Sequence, residues 1–352
     1  MSNYHQEQER KHLTRLEEIR KELPPFMREF FRSKSDSLSS RTRLSYAYDL
    51  RLFFNFLLTD FPEFPAQNMF DLTIEDLAKI NSEHIEEFME YLSYYVSKRD
   101  ETELNVQNQI NSKGRKLATL RTVFSYFYKK GKITGNPAEL VDTPPVKEKA
   151  KVYLEADEIA NLLDAVDEGK SLSAHQRRFH AYTRSRDVAM LTLFAGTGIR
   201  VSECVGLNIQ DVDLDRGSFR VIRKGGDEAI LFFNEETEIA LREYMEQRLN
   251  IKALEGHENA LFLSIQNRRI TTRAVQNLVK KYSELTNSLK KITPHKLRSS
   301  FGTNMYRETG DIYLVADLLG HSDVNTTRKN YADTKQEAGR RAVRNLKLRG
   351  DD

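Results

Sequence analysis

The stretch from Tyr46 to Leu57 constrains this chain more than any other. Tyr46, Leu50, Phe53, Phe54 and Leu57 recur three and four residues apart. That spacing puts bulky apolar side chains on one face of a helix, which must then bury that face against similar partners. Leu117, Leu120, Phe124 and Tyr128 repeat the pattern, and TIEDLAKINSEHIEEFMEYLSYYVSK reads as one or two further helices. Pro62 with Pro65, and Gly135-Asn136-Pro137, supply the stops. The Ser-rich run SKSDSLSSRT (33–42) offers helix N-caps. Ahead of it, residues 1–33 alternate charge with sparse apolar positions, which predicts one or two solvent-facing helices broken at Pro24-Pro25. Residues 1–140 are therefore expected to form an all-helical domain.

VDTPPVKEKAKVYL (141–154) has the character of a linker, because the double proline favours extended chain and the lysines keep it solvated. A length of 352 residues allows about two domains. Residues 155–352 are expected to form the second, mostly helical with one small sheet. EADEIANLLDAV and SRDVAMLTLFAG read as helices, and further helices are expected at 236–251, 272–286, 295–308 and 311–319. GSFRVIRKGGDEAILFF reads as a hairpin around Gly225-Gly226. The basic and aromatic residues of DEGKSLSAHQRRFHAYTRSRD (167–187) suit either a nucleic-acid contact or a plain surface excursion, and the surface excursion is favoured.

The net charge of +3 does not by itself mark a nucleic-acid binder, but its distribution does more. Asp60 to Glu103 holds twelve acids against Lys79, Lys98 and Arg99, whereas Lys113 to Lys132 holds seven basic residues and no acid. Lys113, Arg115, Lys116, Arg121, Lys129 and Lys130 thus form a basic block able to meet the phosphates of a nucleic acid. Cys204 is the only cysteine, which excludes an intrachain disulfide and a cysteine-based metal site. No apolar run approaches the roughly 18 residues of a membrane span, and the N-terminal stretch has no signal-peptide core. A cytoplasmic protein is expected.

Four stretches hold residues that suit chemistry on a phosphate. Arg200 follows Gly196 and Gly198 in FAGTGIRVSECVGL, where a turn can hold a guanidinium rigidly. His295 and Arg298 stand three apart in TPHKLRSSFGT, so a proton carrier and a planar cation share a helix face. Lys224 sits at the hairpin tip, with Arg223 as a rival. LLGHSDVNTTRKNYADT supplies His321 and Tyr331, with Tyr306 and Tyr313 as rival nucleophiles. Each alone has an ordinary reading: an ion-paired arginine, a capping histidine, a solubilising lysine, a surface tyrosine.

Taken together, Arg200, Lys224, His295, Arg298, His321 and Tyr331 run in the order R…K…HxxR…H…Y. With GTGIRVSE, PHKLRSSF and LLGHSDVNTT around them, the chain resembles the tyrosine recombinase (phage integrase-like) family. The likeness spans residues 155–335, and the N-terminal helices resemble that family's core-binding domain. Within the family the wording is nearest the Xer type, and among those the single-protein XerS kind of streptococci and lactococci.

The resemblance implies a mainly α, two-domain, C-shaped clamp around double-stranded DNA, with four protomers on two sites. Tyr331 would be the nucleophile. Arg200, Arg298 and His321 would hold the phosphate, Lys224 would be the general acid, and His295 would assist at the tyrosine. It implies neither cofactor nor metal, and a septal DNA translocase as a partner in chromosome-dimer resolution. Two departures stand out: Ser299 stands where many relatives carry a second histidine, and the interval from His321 to Tyr331 is one residue longer than in many Xer proteins. A phage or mobile-element integrase, a type IB topoisomerase and an inactive DNA-binding architectural protein remain as alternatives.

Overall fold

Leu16, Ile19 and Leu23 lie three and four residues apart along α1 (Asn3–Glu22) and just past its end, and all three are fully buried. They pack with Met27, Phe30 and Phe31 of α2 (Met27–Ser33) into the same core as α3 (Ser40–Asp60). The solvent-facing reading of residues 1–33 is therefore corrected. The apolar stripe is narrow and the charged face wide, but the stripe is enough to pack α1 along α3.

The computed structural model describes residues 3–320 except Pro65, Asp100, Glu101, Gln107, 146–151, Lys224 and 287–289. It divides into two compact units, Ser2–Lys149 and Ala150–Asp352. In the first unit, the Ser39 hydroxyl caps α3 by accepting from the Thr42 amide at 3.2 Å. Two short helices follow, α4 (Ile74–Lys79) and α5 (Ser82–Tyr91), each opened by a reciprocal capping box. The chain then forms an antiparallel pair, β1 (Tyr95–Arg99) and β2 (Thr102–Val106), before α6 (Ile110–Lys129). This pair corrects the all-helical expectation, which carried helix through YVSK. Phe53 and Phe88 meet edge to face at 5.0 Å, joining α3 to α5. Buried Asp49 of α3 accepts from Arg115 Nη2 (2.7 Å) and Thr119 Oγ1 (2.9 Å), joining α3 to α6.

The second unit is organised on α8 (Ala174–Thr197), which packs against α7 (Ala156–Glu168) and several later helices. Its first half covers most of the stretch read as a surface excursion. His180, Thr183, Ser185 and Asp187 are buried there, so that reading is corrected too. Next come α9 (Val201–Gly206) and a three-stranded antiparallel sheet of β3 (Val212–Asp213), β4 (Ser218–Ile222) and β5 (Glu228–Phe232). The β4–β5 register runs from Ser218↔Phe232 to Ile222↔Glu228, so the tip is residues 223–227. Helices α10 (Glu235–Leu249), α11 (Thr272–Leu285), α12 (Pro294–Thr309) and α13 (Ile312–Leu319) complete the described chain. Tyr153, Leu154 and Glu155 are fastened to this unit. Leu154 N donates to Ser300 Oγ at 2.8 Å, and Arg307 stacks over Tyr153 while pairing with Glu155. Among the described residues, no helix is long and apolar enough to cross a membrane.

Asp187 is the polar hub of the second unit. Its carboxylate accepts from Arg186 (2.6 Å), Thr183 Oγ1 (3.1 Å) and Tyr282 Oη (2.9 Å), tying α8 to α11. Burial, and then the adjacent carboxylate, push the Tyr282 hydroxyl well above its ordinary pKa, so it stays a donor. Asp187→Ala leaves a half-buried cation and two buried hydroxyls without their shared acceptor. We expect it to destabilise this unit by about 3–5 kcal/mol, read as a lowered denaturant midpoint for hydrogen-exchange protection of α8 and α11. Asp187→Asn, which keeps an acceptor oxygen, should lose less.

Candidate active site

The site is assembled where α8 ends, α9 begins and α13 ends. Gly198 terminates α8 in the left-handed region at φ +62°, its amide bonded to Phe194 O at 3.2 Å. A side chain is excluded there on a second count, since a Cβ would lie 2.6 Å from Phe301 and 3.0 Å from Leu319. The tight turn delivers Arg200 to the start of α9. There its amide donates to Glu203 Oε2 (2.9 Å) and its guanidinium to Glu203 Oε1 (2.7 Å). Glu203 is buried, so it orients Arg200 as well as offsetting its charge.

Helix α12 brings the second group. Thr293 caps it and Pro294 occupies its first turn, which sets His295 in that turn and Arg298 one turn further on. Leu297 and Ser300 are wholly buried beside Arg298, itself only 6% exposed. Its guanidinium donates from Nη1 to Gly198 O (2.5 Å) and from Nη2 to Leu319 O. Arg200 donates from Nη2 to the next carbonyl, Gly320 O, at 3.0 Å. Two arginines 98 positions apart in sequence thus converge on consecutive carbonyls. Those carbonyls belong to the open, electronegative end of α13, where helical acceptors have no intrahelical donor.

His295 is exposed on α12, yet its imidazole titrates below its ordinary value of 6.5. Partial desolvation of the ring is the first cause, followed by the charges of Arg298, Lys296 and Arg200. The imidazole therefore favours the neutral form, able to accept a proton, inside a cationic cluster. Such a cluster suits an anion with several oxygens, because planar guanidinium groups donate in pairs.

Of the six residues read as chemical, the structure brings Arg200, His295 and Arg298 together; Lys224, His321 and Tyr331 lie outside the described residues. Of the rival tyrosines, Tyr306 is buried against Val315 and Leu319, and Tyr313 is exposed. Glu203 was not singled out by sequence, although its three-residue spacing from Arg200 was a usable signal. Among the candidate DNA contacts, four are engaged within the first unit. Lys113 bonds Ser93, Arg115 pairs with Asp49, buried Lys116 donates to Asn108 and Ser112, and Arg121 donates to Ala138 O, Val141 O and Thr143. Burial holds the Lys116 ammonium below its usual pKa. Lys129 and Lys130, at the end of α6, are exposed.

Residues 152–338, over half the chain, match the Phage integrase family. Tyrosine recombinase XerC of Thermodesulfovibrio yellowstonii is 33% identical over 293 residues, 82% of this chain and 85% of that protein. XerC of Caldanaerobacter subterraneus subsp. tengcongensis is 33% identical over 332 residues, 91% of this chain and 85% of that protein. Among solved structures, XerH site-specific recombinase bound to palindromic difH substrate shares the fold with a TM-score of 0.62 and 20% identity. That match covers 88% of this chain and 81% of the other. The Tn1549 transposon integrase in complex with a circular intermediate DNA does so with a TM-score of 0.61 and 18% identity, over 90% and 97% of the two chains. On the family match and these XerC identities, the chain belongs to the phage integrase family and is a site-specific DNA recombinase of the tyrosine kind.

Proposed function

We propose that the chain is an Xer-type recombinase, of the single-protein XerS kind, that resolves chromosome dimers at one chromosomal site, in the cytoplasm during cell division. The observation that carries the chemistry is the convergence of Arg200 and Arg298 on the end of α13, directly before His321 in sequence. In this reading the phenolic oxygen of Tyr331 attacks the scissile phosphorus. A bond forms from that oxygen to the 3′ phosphate, and the bond from phosphorus to the 5′ oxygen breaks. Arg200, Arg298 and His321 hold the non-bridging oxygens as charge accumulates on them. The tyrosine proton passes toward neutral His295, and Lys224 protonates the departing 5′ oxygen. Rejoining reverses these steps on a partner strand. The phosphotyrosyl bond conserves the energy of the cut strand, so the cycle needs neither ATP nor a cofactor. Four protomers on two duplex sites, with a septal translocase acting on the complex, complete the proposal.

Covalent trapping tests the nucleophile and the substrate together. Wild-type protein and Tyr331→Phe are incubated with fragmented genomic DNA, quenched in SDS, and the adducted peptides and fragments identified. We expect an adduct on Tyr331, absent from the variant and concentrated at one chromosomal site. Adducts scattered over mobile-element ends would replace the dimer-resolution reading with integration, and an adduct on Tyr313 would displace Tyr331.

The lowered pKa of His295 sets the pH dependence. The folded chain binds this proton less readily than the unfolded chain. The associated stability is therefore present above about pH 6.5 and is lost as pH falls through the lowered folded value. Cleavage should keep its rate below pH 6.5, the ordinary histidine value, before falling. Arg200→Ala should raise the His295 midpoint, followed by NMR titration of the ring protons, because one of the depressing charges is gone.

On the first unit, Lys129 and Lys130 are read as the phosphate contacts of α6. Replacing both with alanine should reduce the log–log salt slope of DNA affinity by about 2, near 0.9 per phosphate contact. Arg121→Ala should instead cost stability, with little change in slope.

A further inference from the structure

The hairpin tip carries a third arginine to the same helix end. Arg223 closes the tip with its backbone: its amide donates to Asp227 O at 2.8 Å, and its carbonyl accepts from the Gly226 amide at 3.1 Å. Between those bonds stand Lys224 and Gly225, and Gly225 and Gly226 take φ of +111° and +97°. The Arg223 side chain leaves the sheet and donates to Asp317 O (3.4 Å) and Leu318 O (3.3 Å) of α13. Its guanidinium lies against Gly320, where a Cβ would meet Nη1 at 1.7 Å and Cζ at 2.2 Å. Arg223, Arg298 and Arg200 therefore occupy the four successive carbonyls from Asp317 to Gly320.

From this contact we propose that Arg223 is a positioning residue, latching the tip that bears Lys224 onto the end of α13 from which the chain enters His321. The proposal rests on the reading of Lys224 as the general acid. A lysine on a two-glycine turn has wide freedom, and a proton donor must stay within hydrogen-bond reach of the leaving oxygen. Anchoring the residue before it restricts that freedom. A planar fork suits adjacent carbonyls better than an ammonium, so lysine at 223 should not replace arginine.

Two measurements on the full chain decide this. First, amide exchange at Gly226 and Gly320 is compared in wild type, Arg223→Ala and Arg223→Lys without DNA. We expect both amides to exchange about tenfold faster in Arg223→Ala, as losing charge-assisted bonds implies, with α8 unchanged. Unchanged exchange at Gly320 would overturn the latch.

Second, cleavage is timed on a nicked duplex of the fragment trapped by wild type, made with a 5′-bridging oxygen or a 5′-bridging sulfur. A thiolate leaves without being protonated. Arg223→Ala should slow cleavage of the oxygen substrate by about 10²-fold, and of the sulfur substrate by less than about threefold, as Lys224→Ala should too. Equal slowing on both, with a salt slope smaller by about 1, would make Arg223 a phosphate contact instead. If wild type forms no adduct, the Tyr331 reading falls, and the exchange result alone judges the latch.

Discussion

Four peptide carbonyls at the end of α13 hold this site together. A helix terminus leaves its last carbonyls without intrahelical donors and adds the negative end of the helix dipole. Here the carbonyls of Leu318, Leu319 and Gly320, and that of Asp317, which also accepts the Gly320 amide at 2.8 Å, are taken by guanidinium groups from three separate elements. Three cations this close would repel one another in the absence of acceptors. The carbonyls, together with buried Glu203 beside Arg200, offset that repulsion and fix each guanidinium in direction. The remaining positive field is visible at His295, whose proton affinity falls partly because Arg298 and Arg200 lie near it. Anion recognition of this kind gains from groups already oriented before the ligand arrives.

Such an arrangement needs rigid supports, and the second unit supplies them through α8. At one end Gly198 turns the chain so closely that only glycine fits between Phe301 and Leu319. Near its middle Asp187 accepts from Arg186 and Thr183 of α8 itself and from Tyr282 of α11, which ties the two helices. Helix α12 lies against α8 and carries Arg298 inward on the same buried face as Leu297. The turn before α9 and the body of α12 are thus both referred to one helix. That common reference is how residues 98 positions apart come to neighbouring acceptors.

Much of this was legible in the order of residues, and the failures have physical causes. The helices of the second unit were readable because their apolar positions recur at helical spacing and their ends carry Thr293, Pro294 and Gly310. The β4–β5 hairpin was readable because Gly225-Gly226 separates two β-rich runs. By contrast, β1 and β2 were missed because YVSKR follows a helix without a breaker, and between it and its pairing partner the sequence offers only two acids, with neither glycine nor proline. The role of α1 was missed because a stripe as narrow as Leu16, Ile19 and Leu23 looks sparse until α3 is seen to cover it. The cations of α6 looked alike in sequence. Whether an arginine faces solvent or a buried aspartate, as Arg115 faces Asp49, depends on a helix 66 residues away.

The sequence by itself determined a helical chain with a proline-rich break, a small hairpin, and an ordered set of arginines, histidines, a lysine and a tyrosine suited to phosphate chemistry. Periodicity, turn residues and motif wording are local properties, so they survive without coordinates. Only the tertiary structure decided that Arg200 and Arg298 share the end of α13, that Glu203 backs one of them, and that Arg223 reaches the same helix from the sheet. Those facts concern carbonyls and carboxylates contributed by distant segments, and their directions exist only once the helices have packed.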